Sequence, residues 1–249
     1  MTAKATICHD QLMVLFVIAQ LITLASALNL PSQLNNDEQS QVLESIGLGT
    51  STKFLSQSYP FGGYQGFEIS LAMESVPTGR LSQLGTGTPK QSALLYPSLS
   101  VGKGLFNNSE IAFSLTPQTP ATGLSRYGVS FRWSFYQTQF LPLNFSFVAH
   151  GSSANFQNQL ITRNVGGDLL IGLTLNQFSI FTGTGWISSA GIFTGGANGL
   201  TLSQIQEGAK VDSAHFLLGL TYNFEPLFLG FSFDHFQEST YNLKIGLFF

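Results

Sequence analysis

Apolar and other side chains alternate strictly through the last nine residues of the chain. Positions 241, 243, 245, 247 and 249 hold Tyr, Leu, Ile, Leu and Phe, and the positions between them hold Asn, Lys, Gly and Phe. A two-residue period places successive side chains on opposite faces of a β-strand. This segment is therefore predicted to be a strand with one apolar face.

A similar alternation recurs along the chain, although its phase is ambiguous in 178–188. Each segment is near the roughly 9–11 residues that a tilted transmembrane strand needs. Ten strands are predicted, over 65–76, 93–104, 109–117, 124–138, 142–151, 167–175, 178–188, 212–224, 227–236 and 240–249. The even number allows a closed antiparallel barrel, with a range of 8 to 12 strands compatible with the pattern.

The final strand resembles the C-terminal signal strand of bacterial outer-membrane β-barrels, which ends on Phe and has apolar residues at every second position before it. The resemblance is to the class and to no specific family. It implies an all-β, antiparallel up-and-down transmembrane barrel in the outer membrane of a Gram-negative bacterium, in contact with lipid. It also implies recognition by the barrel-assembly machinery. The residues that would be recognised are Tyr241, Leu243, Ile245, Leu247 and Phe249.

The predicted connections alternate in length. Tight turns are expected at 106–108, 140–142, 176–177 and 225–226, and longer loops at 77–92, 118–123, 152–166 and 189–211, with the short 237–239 as the exception. Outer-membrane barrels have short periplasmic turns and longer extracellular loops. The C-terminus falls on the short-turn side, as this class requires.

The composition points away from a water-exposed surface. The chain of 249 residues is 43% hydrophobic and only 9% charged, whereas soluble domains average about 25% charged residues. A soluble sandwich or lipocalin-like barrel is the alternative, but it predicts many more Lys and Glu residues on the polar faces. Aromatic residues near strand ends are expected to form interfacial girdles. They are Tyr64, Tyr96, Trp186, Tyr222 and Tyr241.

Residues 1–27 are predicted to be a secretory signal peptide, cleaved after Ala27. Lys4 supplies positive charge, residues 12–24 form an apolar run, and Ala25-Ser26-Ala27 is a small-residue cleavage site. The run is shorter than the roughly 20 residues of a spanning helix, and an uncleaved anchor is the alternative. Cys8 is the only cysteine, so the mature chain is predicted to have neither disulfides nor thiol chemistry.

Residues 28–64 are polar and precede the barrel, which is assigned to 65–249. Asn36 is predicted to cap a short helix that continues to about Ile46, with Gln39 as its capping-box partner. Two interpretations stay open: a periplasmic segment of no special role, or a plug that covers the barrel mouth.

Charged residues that fall on the polar faces are expected to project into the lumen. The predicted lumen network consists of Glu68, Arg132, His150, Asp168, His215, Asp234 and Lys244, with Glu74 and Glu110 on the same faces. Arg132 is expected opposite His150, His215 beside Asp234, and Lys244 in an ion pair with Glu68 at the seam. The network either compensates buried charge or forms the charged constriction of a small pore.

Two weak enzyme-like patterns are present. His150-Gly151-Ser152 is similar to the His-x-Ser of the lipid A deacylase family, but the next acidic residue, Asp168, is farther along than that family's Glu. Asp212, His215, Asp234 and His235 lie where omptin-like proteases hold their acidic and His residues, but the paired motifs of that family are absent.

The predicted function is that of a non-enzymatic outer-membrane barrel, structural or a narrow passive pore. The alternatives are a surface-binding barrel that acts through its extracellular loops and a deacylase-like lipid hydrolase. The absence of a basic patch argues against a nucleic-acid partner. No catalytic, cofactor-binding or metal-binding residue is assigned, and the oligomeric state is left open.

Overall fold

The computed structural model describes residues 28–55, 64–86, 90–118, 123–138, 141–196, 199–201 and 207–249. These residues form a closed antiparallel barrel in which each strand pairs with its neighbours in sequence. The strands are β1 (Phe67–Pro77), β2 (Ala93–Gly104), β3 (Ser109–Thr116), β4 (Leu124–Gln137), β5 (Leu143–Phe156), β6 (Leu160–Leu175), β7 (Phe178–Phe193), β8 (Glu207–Phe224), β9 (Leu227–His235) and β10 (Ser239–Phe248). The predicted ten-stranded up-and-down barrel is confirmed.

The first and last strands close the wall. β1 and β10 pair from Glu68 with Phe248 to Ser75 with Tyr241. The backbone N–H groups of Phe67 and Phe249 each donate to the other residue's carbonyl, at 3.0 and 2.9 Å. Lipid supplies no hydrogen bonds to an open strand edge, so this closure is what makes a membrane-spanning sheet possible.

The two ends of the barrel can be named from its connections. The turn end holds Phe249 and the short connections after β2, β4, β6 and β8, and the loop end is opposite. In outer-membrane barrels the short turns are periplasmic. Among the described residues no helix is long and apolar enough to cross a membrane.

The outer face of the wall is apolar and the inner face is mostly polar, as the alternation predicts. Large apolar side chains on nearly every strand are exposed. They include Ile69, Val101, Phe113, Phe131, Leu169, Ile180, Leu220, Leu229 and Leu243. The girdle assignment is wrong for Tyr96, which is fully buried inside the barrel, where its hydroxyl donates to Glu74 at 2.8 Å.

Four strands are longer than predicted. β5, β6, β7 and β8 contain 14, 16, 16 and 18 residues. The loop expected at 152–166 is therefore mostly strand, and the loop expected at 189–211 begins and ends in strand. The connection after β5 is the tight turn 157–159. Exposed charged side chains occur in these extensions, at Arg163, Lys210 and Asp212. The extensions therefore rise beyond the apolar band at the loop end.

A short helix precedes the barrel, as predicted, but its cap is one residue earlier. Helix α1 (Asn36–Val42) is capped by Asn35, whose side chain accepts from the Glu38 N–H at 2.9 Å. The Glu38 carboxylate accepts from the Asn35 N–H at 2.9 Å, which completes a capping box. A wider π-helical turn, Leu43–Gly47, continues the helix.

Residues 28–55 occupy the barrel, with 28–41 at its loop-end mouth, where several side chains are exposed, and 42–55 enclosed in the lumen. Ser32 pairs with Thr86, and the Leu34 N–H donates to the Leu200 carbonyl, which places this part at the loop end. The segment then descends until Lys244 donates to the Leu55 carbonyl at 2.6 Å. We refer to residues 28–55 as the plug; residues 56–63 and the predicted signal peptide 1–27 lie outside the described residues.

The plug gives the lumen a hydrophobic core at the loop end. Val42, Leu43 and Ile46 are fully buried there. They belong to a cluster with inward-facing wall residues that include Val76, Leu94, Tyr96, Leu124, Phe156, Leu160 and Phe193. Deeper in the lumen, Phe54 and Leu55 form a second cluster with Val148, Leu170, Phe181 and Leu217. The lumen is therefore packed and not simply polar.

The membrane-facing assignment of the wall can be tested with Leu220→Arg. Leu220 lies near the middle of the apolar band and is 41% exposed, so an arginine there should destabilise the folded barrel by about 2–4 kcal/mol. The matched control is Ile161→Arg, because Ile161 is 38% exposed but lies in the β6 extension, where the expected cost is about 0–1 kcal/mol. Urea unfolding of both variants in lipid vesicles measures the difference, and equal costs would contradict the assignment.

Candidate functional site

The seven residues of the predicted lumen network are all buried. Glu68, Arg132, His150, Asp168, His215, Asp234 and Lys244 are between 1% and 8% exposed. They occupy inward-facing positions of their strands, which follow from the two-residue period. The structure joins most of them in pairs or clusters, arranged in three layers from the turn end to the loop end.

The layer nearest the turn end contains an ion pair across the seam. Lys244 Nζ lies 2.5 Å from Glu68 Oε1, and the same ammonium donates to the Leu55 carbonyl of the plug at 2.6 Å. The Ser70 hydroxyl also donates to Glu68, at 2.8 Å. A lysine on β10 is thus held both by the wall and by the plug.

A second pair lies beside it. Arg132 NH2 donates to Glu110 Oε2 at 2.7 Å, between directly paired positions of β3 and β4. The expected position of Arg132 opposite His150 is wrong, since Arg132 pairs with Val148. A bulge between positions 134 and 136 shifts the register of β4 against β5. A cavity of about 40 Å³ is lined by Glu68, Glu110 and Lys244 of the wall and by residues 52–55 of the plug.

The middle layer is a cluster of two histidines and one aspartate. His215 Nε2 and Asp168 Oδ1 form a hydrogen bond of 2.7 Å, and His150 Nε2 lies 3.4 Å from Asp168 Oδ2. His215 and Asp234 lie on the adjacent strands β8 and β9, two positions apart in register because the strand partner of Asp234 is Leu217. The His215 ring stacks on Phe236 with 4.7 Å between the ring centroids.

The layer nearest the loop end is centred on Arg126, which the prediction omitted. Arg126 NH1 donates to Glu74 Oε1 at 2.7 Å, and Arg126 NH2 donates to the Ser51 carbonyl of the plug at 2.9 Å. Glu74 also accepts from Tyr96 and Ser98. Arg126 lies six positions before Arg132 on the same face of β4, so the alternation itself was a signal for it.

The plug is bound chiefly through its backbone carbonyls. Side chains of the wall and of the β5–β6 turn donate to these carbonyls at 2.6 to 3.0 Å. The pairs are Gln157 with Leu28, Asn164 with Gly47, Arg126 with Ser51 and Lys244 with Leu55. In the opposite direction, Thr52 Oγ1 donates to the Gly151 carbonyl at 3.1 Å. These contacts satisfy the peptide groups of a segment that is not part of the sheet.

Lys53 of the plug also enters the lumen, and sequence reasoning missed it because 48–55 has no periodic pattern. Its ammonium lies 4.6 Å from the centre of the Phe236 ring. Among the described residues the ammonium has no hydrogen-bond partner. A cation over an aromatic face is stabilised by the ring quadrupole, and this contact joins the plug to the β9–β10 connection.

At the loop end the plug is tied to the β1–β2 connection by Glu38. Its carboxylate accepts from the Gly85 N–H at 3.1 Å as well as from the Asn35 N–H. These two backbone donors lower the pKa of Glu38. Because the folded-state pKa is depressed, the contact is retained above the usual range of a Glu and is lost as the pH falls through the lowered value.

The residues of the two enzyme-like patterns do not assemble in the expected way. Neither ring nitrogen of His150 hydrogen bonds to Ser152, whose hydroxyl instead accepts from Asn164 at 3.2 Å. His215 and Asp234 are buried in the lumen, while Asp212 and His235 are exposed. Asp212 is near Lys210, and His235 contacts Ser239.

Comparison with known proteins gives similarities of fold only. No family model and no curated protein matches the chain. Similar solved structures include the N-terminal β-barrel domain of Pseudomonas aeruginosa OprF (14% identity, 75% of this chain, 99% of that chain, TM-score 0.33). Others are the Yersinia pestis outer membrane protein Ail (10% identity, 74% and 99%, TM-score 0.34) and a KdgM porin (8% identity, 72% and 98%, TM-score 0.39).

Similarity at this level is one of fold alone. The environment of the barrel follows from the chain's own exterior. A wall with an apolar outer face, no free edge and charges directed inward is suited to lipid. The chain has the fold of the outer-membrane β-barrels, and this is a likeness of fold and not of family.

The seam ion pair can be tested by a double-mutant cycle. Lys244→Met leaves the Glu68 carboxylate buried without its cation and should cost about 3–5 kcal/mol, whereas Lys244→Met with Glu68→Gln should recover much of that loss. The control is Lys210→Met, since the exposed Lys210–Asp212 pair should contribute about 0–1 kcal/mol. Urea unfolding of the natural barrel, of Lys244→Met, Glu68→Gln and the double variant, and of the control measures the cycle, and additive losses at 68 and 244 would exclude the coupling.

Proposed function

We propose that this protein is an outer-membrane barrel closed by its own N-terminal segment. At rest it is a structural, non-conducting wall, and it becomes a narrow passive pore only when the plug moves. The observation that supports this proposal is the position of residues 28–55 in the lumen, with the hydrogen bonds from Arg126 and Lys244 to plug carbonyls.

The upper part of the plug favours the closed state. Val42, Leu43 and Ile46 are fully buried against inward-facing apolar residues of the wall. Exposing a fully buried side chain of this size costs about 1.5–3 kcal/mol. Withdrawal of helix α1 would expose all three side chains together, so the loop end of the lumen is expected to stay occupied in most molecules.

The lower part of the plug contributes fewer apolar side chains, Phe54 and Leu55, and is held by more polar contacts. Ser51 and Leu55 are bound through their carbonyls by Arg126 and Lys244. Water can replace a carbonyl as acceptor, and a hydrogen bond to a charged group contributes about 1.5–3 kcal/mol net. We therefore expect motion to begin at residues 51–55, beside the existing cavity.

Displacement of this part would leave a passage lined by both signs of charge. Glu68 and Glu110 face Lys244 and Arg132 around the cavity at the turn end. Rings of charged side chains are the means by which narrow pores select ions. The same four residues that compensate one another when the barrel is closed would then form its constriction.

The extensions of β5–β8 favour a second candidate function, which is binding at the cell surface. These strands form a continuous sheet beyond the apolar band and carry the exposed Arg163, Lys210 and Asp212. A barrel that acts through this sheet would keep its activity with the plug locked in place, whereas a pore would not. The locked variant described below separates the two.

Planar-bilayer recording tests the plugged-pore proposal. The natural protein should be closed for most of the recording with brief openings. Arg126→Met removes the donor to the Ser51 carbonyl and should raise the fraction of time open by about tenfold, the effect of a loss of about 1.4 kcal/mol. Arg163→Met is the matched control, because this arginine is exposed on the outer face, and it should leave conductance unchanged. Continuous conductance by the natural protein would refute plugging.

A reversible cross-link gives the converse test. A Cβ placed at Gly128 would lie 2.4 Å from Thr52 Oγ1, so cysteines at 52 and 128 are near enough for a disulfide. In a Cys8→Ser background, the oxidised Thr52→Cys/Gly128→Cys protein should show no openings, and reduction should restore them. Openings that persist in the oxidised protein would place the conduction path outside the plugged lumen.

A further inference from the structure

Three side chains capable of binding a metal ion meet in the middle layer of the lumen. His150 on β5, Asp168 on β6 and His215 on β8 each direct one ligand atom to the same point, and these atoms lie within 4.8 Å of one another. The three side chains are 2%, 3% and 4% exposed. Two histidines and one carboxylate form a donor set that suits divalent transition metals.

The register of the sheet makes room for this cluster. Gly185 of β7 is paired with Asp168 on one side and with His215 on the other, so the carboxylate reaches across β7. A Cβ at Gly185 would lie 2.0 Å from Asp168 Oδ1 and 2.8 Å from His215 Nε2. Gly166 is paired with His150, and a Cβ there would lie 2.7 Å from His150 Nε2. All three ligand atoms therefore occupy space that glycine leaves free.

Hydrogen bonding within the chain accounts for only part of the cluster. Among the described residues neither ring nitrogen of His150 has a hydrogen-bond partner, although the residue is buried. His215 forms its bond to Asp168 through Nε2. Buried polar groups are normally paired, and an unpaired one needs an explanation. A ligand bound between His150 and Asp168 would supply that partner.

We propose that His150, Asp168 and His215 bind one divalent transition metal ion, of which Zn²⁺ is the best match. Tetrahedral zinc with bonds of about 2.0–2.1 Å separates its ligand atoms by about 3.4 Å. His150 Nε2 and Asp168 Oδ2 already have this separation, at 3.4 Å. The metal takes one Asp168 oxygen, so the three ligand atoms, which lie within 4.8 Å of one another, must adjust to this separation around it. Both imidazoles must present an unprotonated Nε2.

The site is independent of the plugged-pore function, because all its ligands belong to the wall. It joins β5, β6 and β8 across β7, so the bound ion cross-links three strands of the wall. Three protein ligands leave a fourth tetrahedral position for water.

Cobalt substitution tests the site in the full-length, tag-free protein. The chain is refolded in detergent with Co²⁺, and free metal is removed. The folded barrel should retain one Co²⁺ per chain and show the visible absorption of tetrahedral cobalt, and Zn²⁺ should abolish that absorption by replacing the cobalt. His150→Gln, Asp168→Asn and His215→Gln should each lose the retained ion. His235→Gln is the control, because His235 is exposed and bonded to Ser239.

The proposal fails if the natural protein retains no cobalt, or if the three variants retain as much as the His235→Gln control. Gel mobility of unheated samples shows which variants fold. If a variant does not fold, the natural protein alone decides, because Zn²⁺ should raise the urea concentration at which it unfolds and Mg²⁺ should not. Equal midpoints with and without Zn²⁺ would overturn the site.

Discussion

A peptide group in lipid has no water with which to form a hydrogen bond, and this constraint governs the architecture. It forces β1 to pair with β10, so that the sheet has no edge. Closing the sheet divides the side chains of the wall into those that face lipid and those that are enclosed in the lumen. Charged residues that the outer face cannot hold then accumulate in a narrow interior, where each needs a compensating partner.

The plug follows from the same requirement. Arg126 and Lys244 each bind a wall carboxylate, and each also binds a carbonyl of the plug. Above them, helix α1 turns apolar residues toward inward-facing apolar positions of the wall. The interior therefore resembles the core of a soluble domain, with an apolar part and a polar part whose charges are paired. Unlike a soluble domain, it is surrounded by an apolar outer surface. The plug fills the lumen, and the charged residues that pair within the wall also hold the plug in place.

The barrel itself could be predicted from the sequence because oil and lumen impose a two-residue period on every strand that crosses the membrane. The extensions of β5–β8 could not be predicted, because beyond the membrane neither face of a strand has to be apolar. Residues 151–155, for example, read Gly-Ser-Ser-Ala-Asn and show no alternation. The pairing of Arg132 was mispredicted because a bulge adds one residue without a sequence signal. The position of residues 48–55 was undetermined because irregular backbone carries no periodicity, and the wall that satisfies its carbonyls is distant in sequence.

The path of the plug restricts the order in which the molecule can assemble. Its first described residue lies near the loop end, its last, Leu55, lies deep in the lumen, and β1 begins at the turn end. A wall that had already closed would have to admit a helix lengthwise through a bore occupied by ion pairs. A wall that curls around the segment meets no such obstacle. The seam between the first and last strands is therefore expected to form late, after the sheet has wrapped around the N-terminal segment.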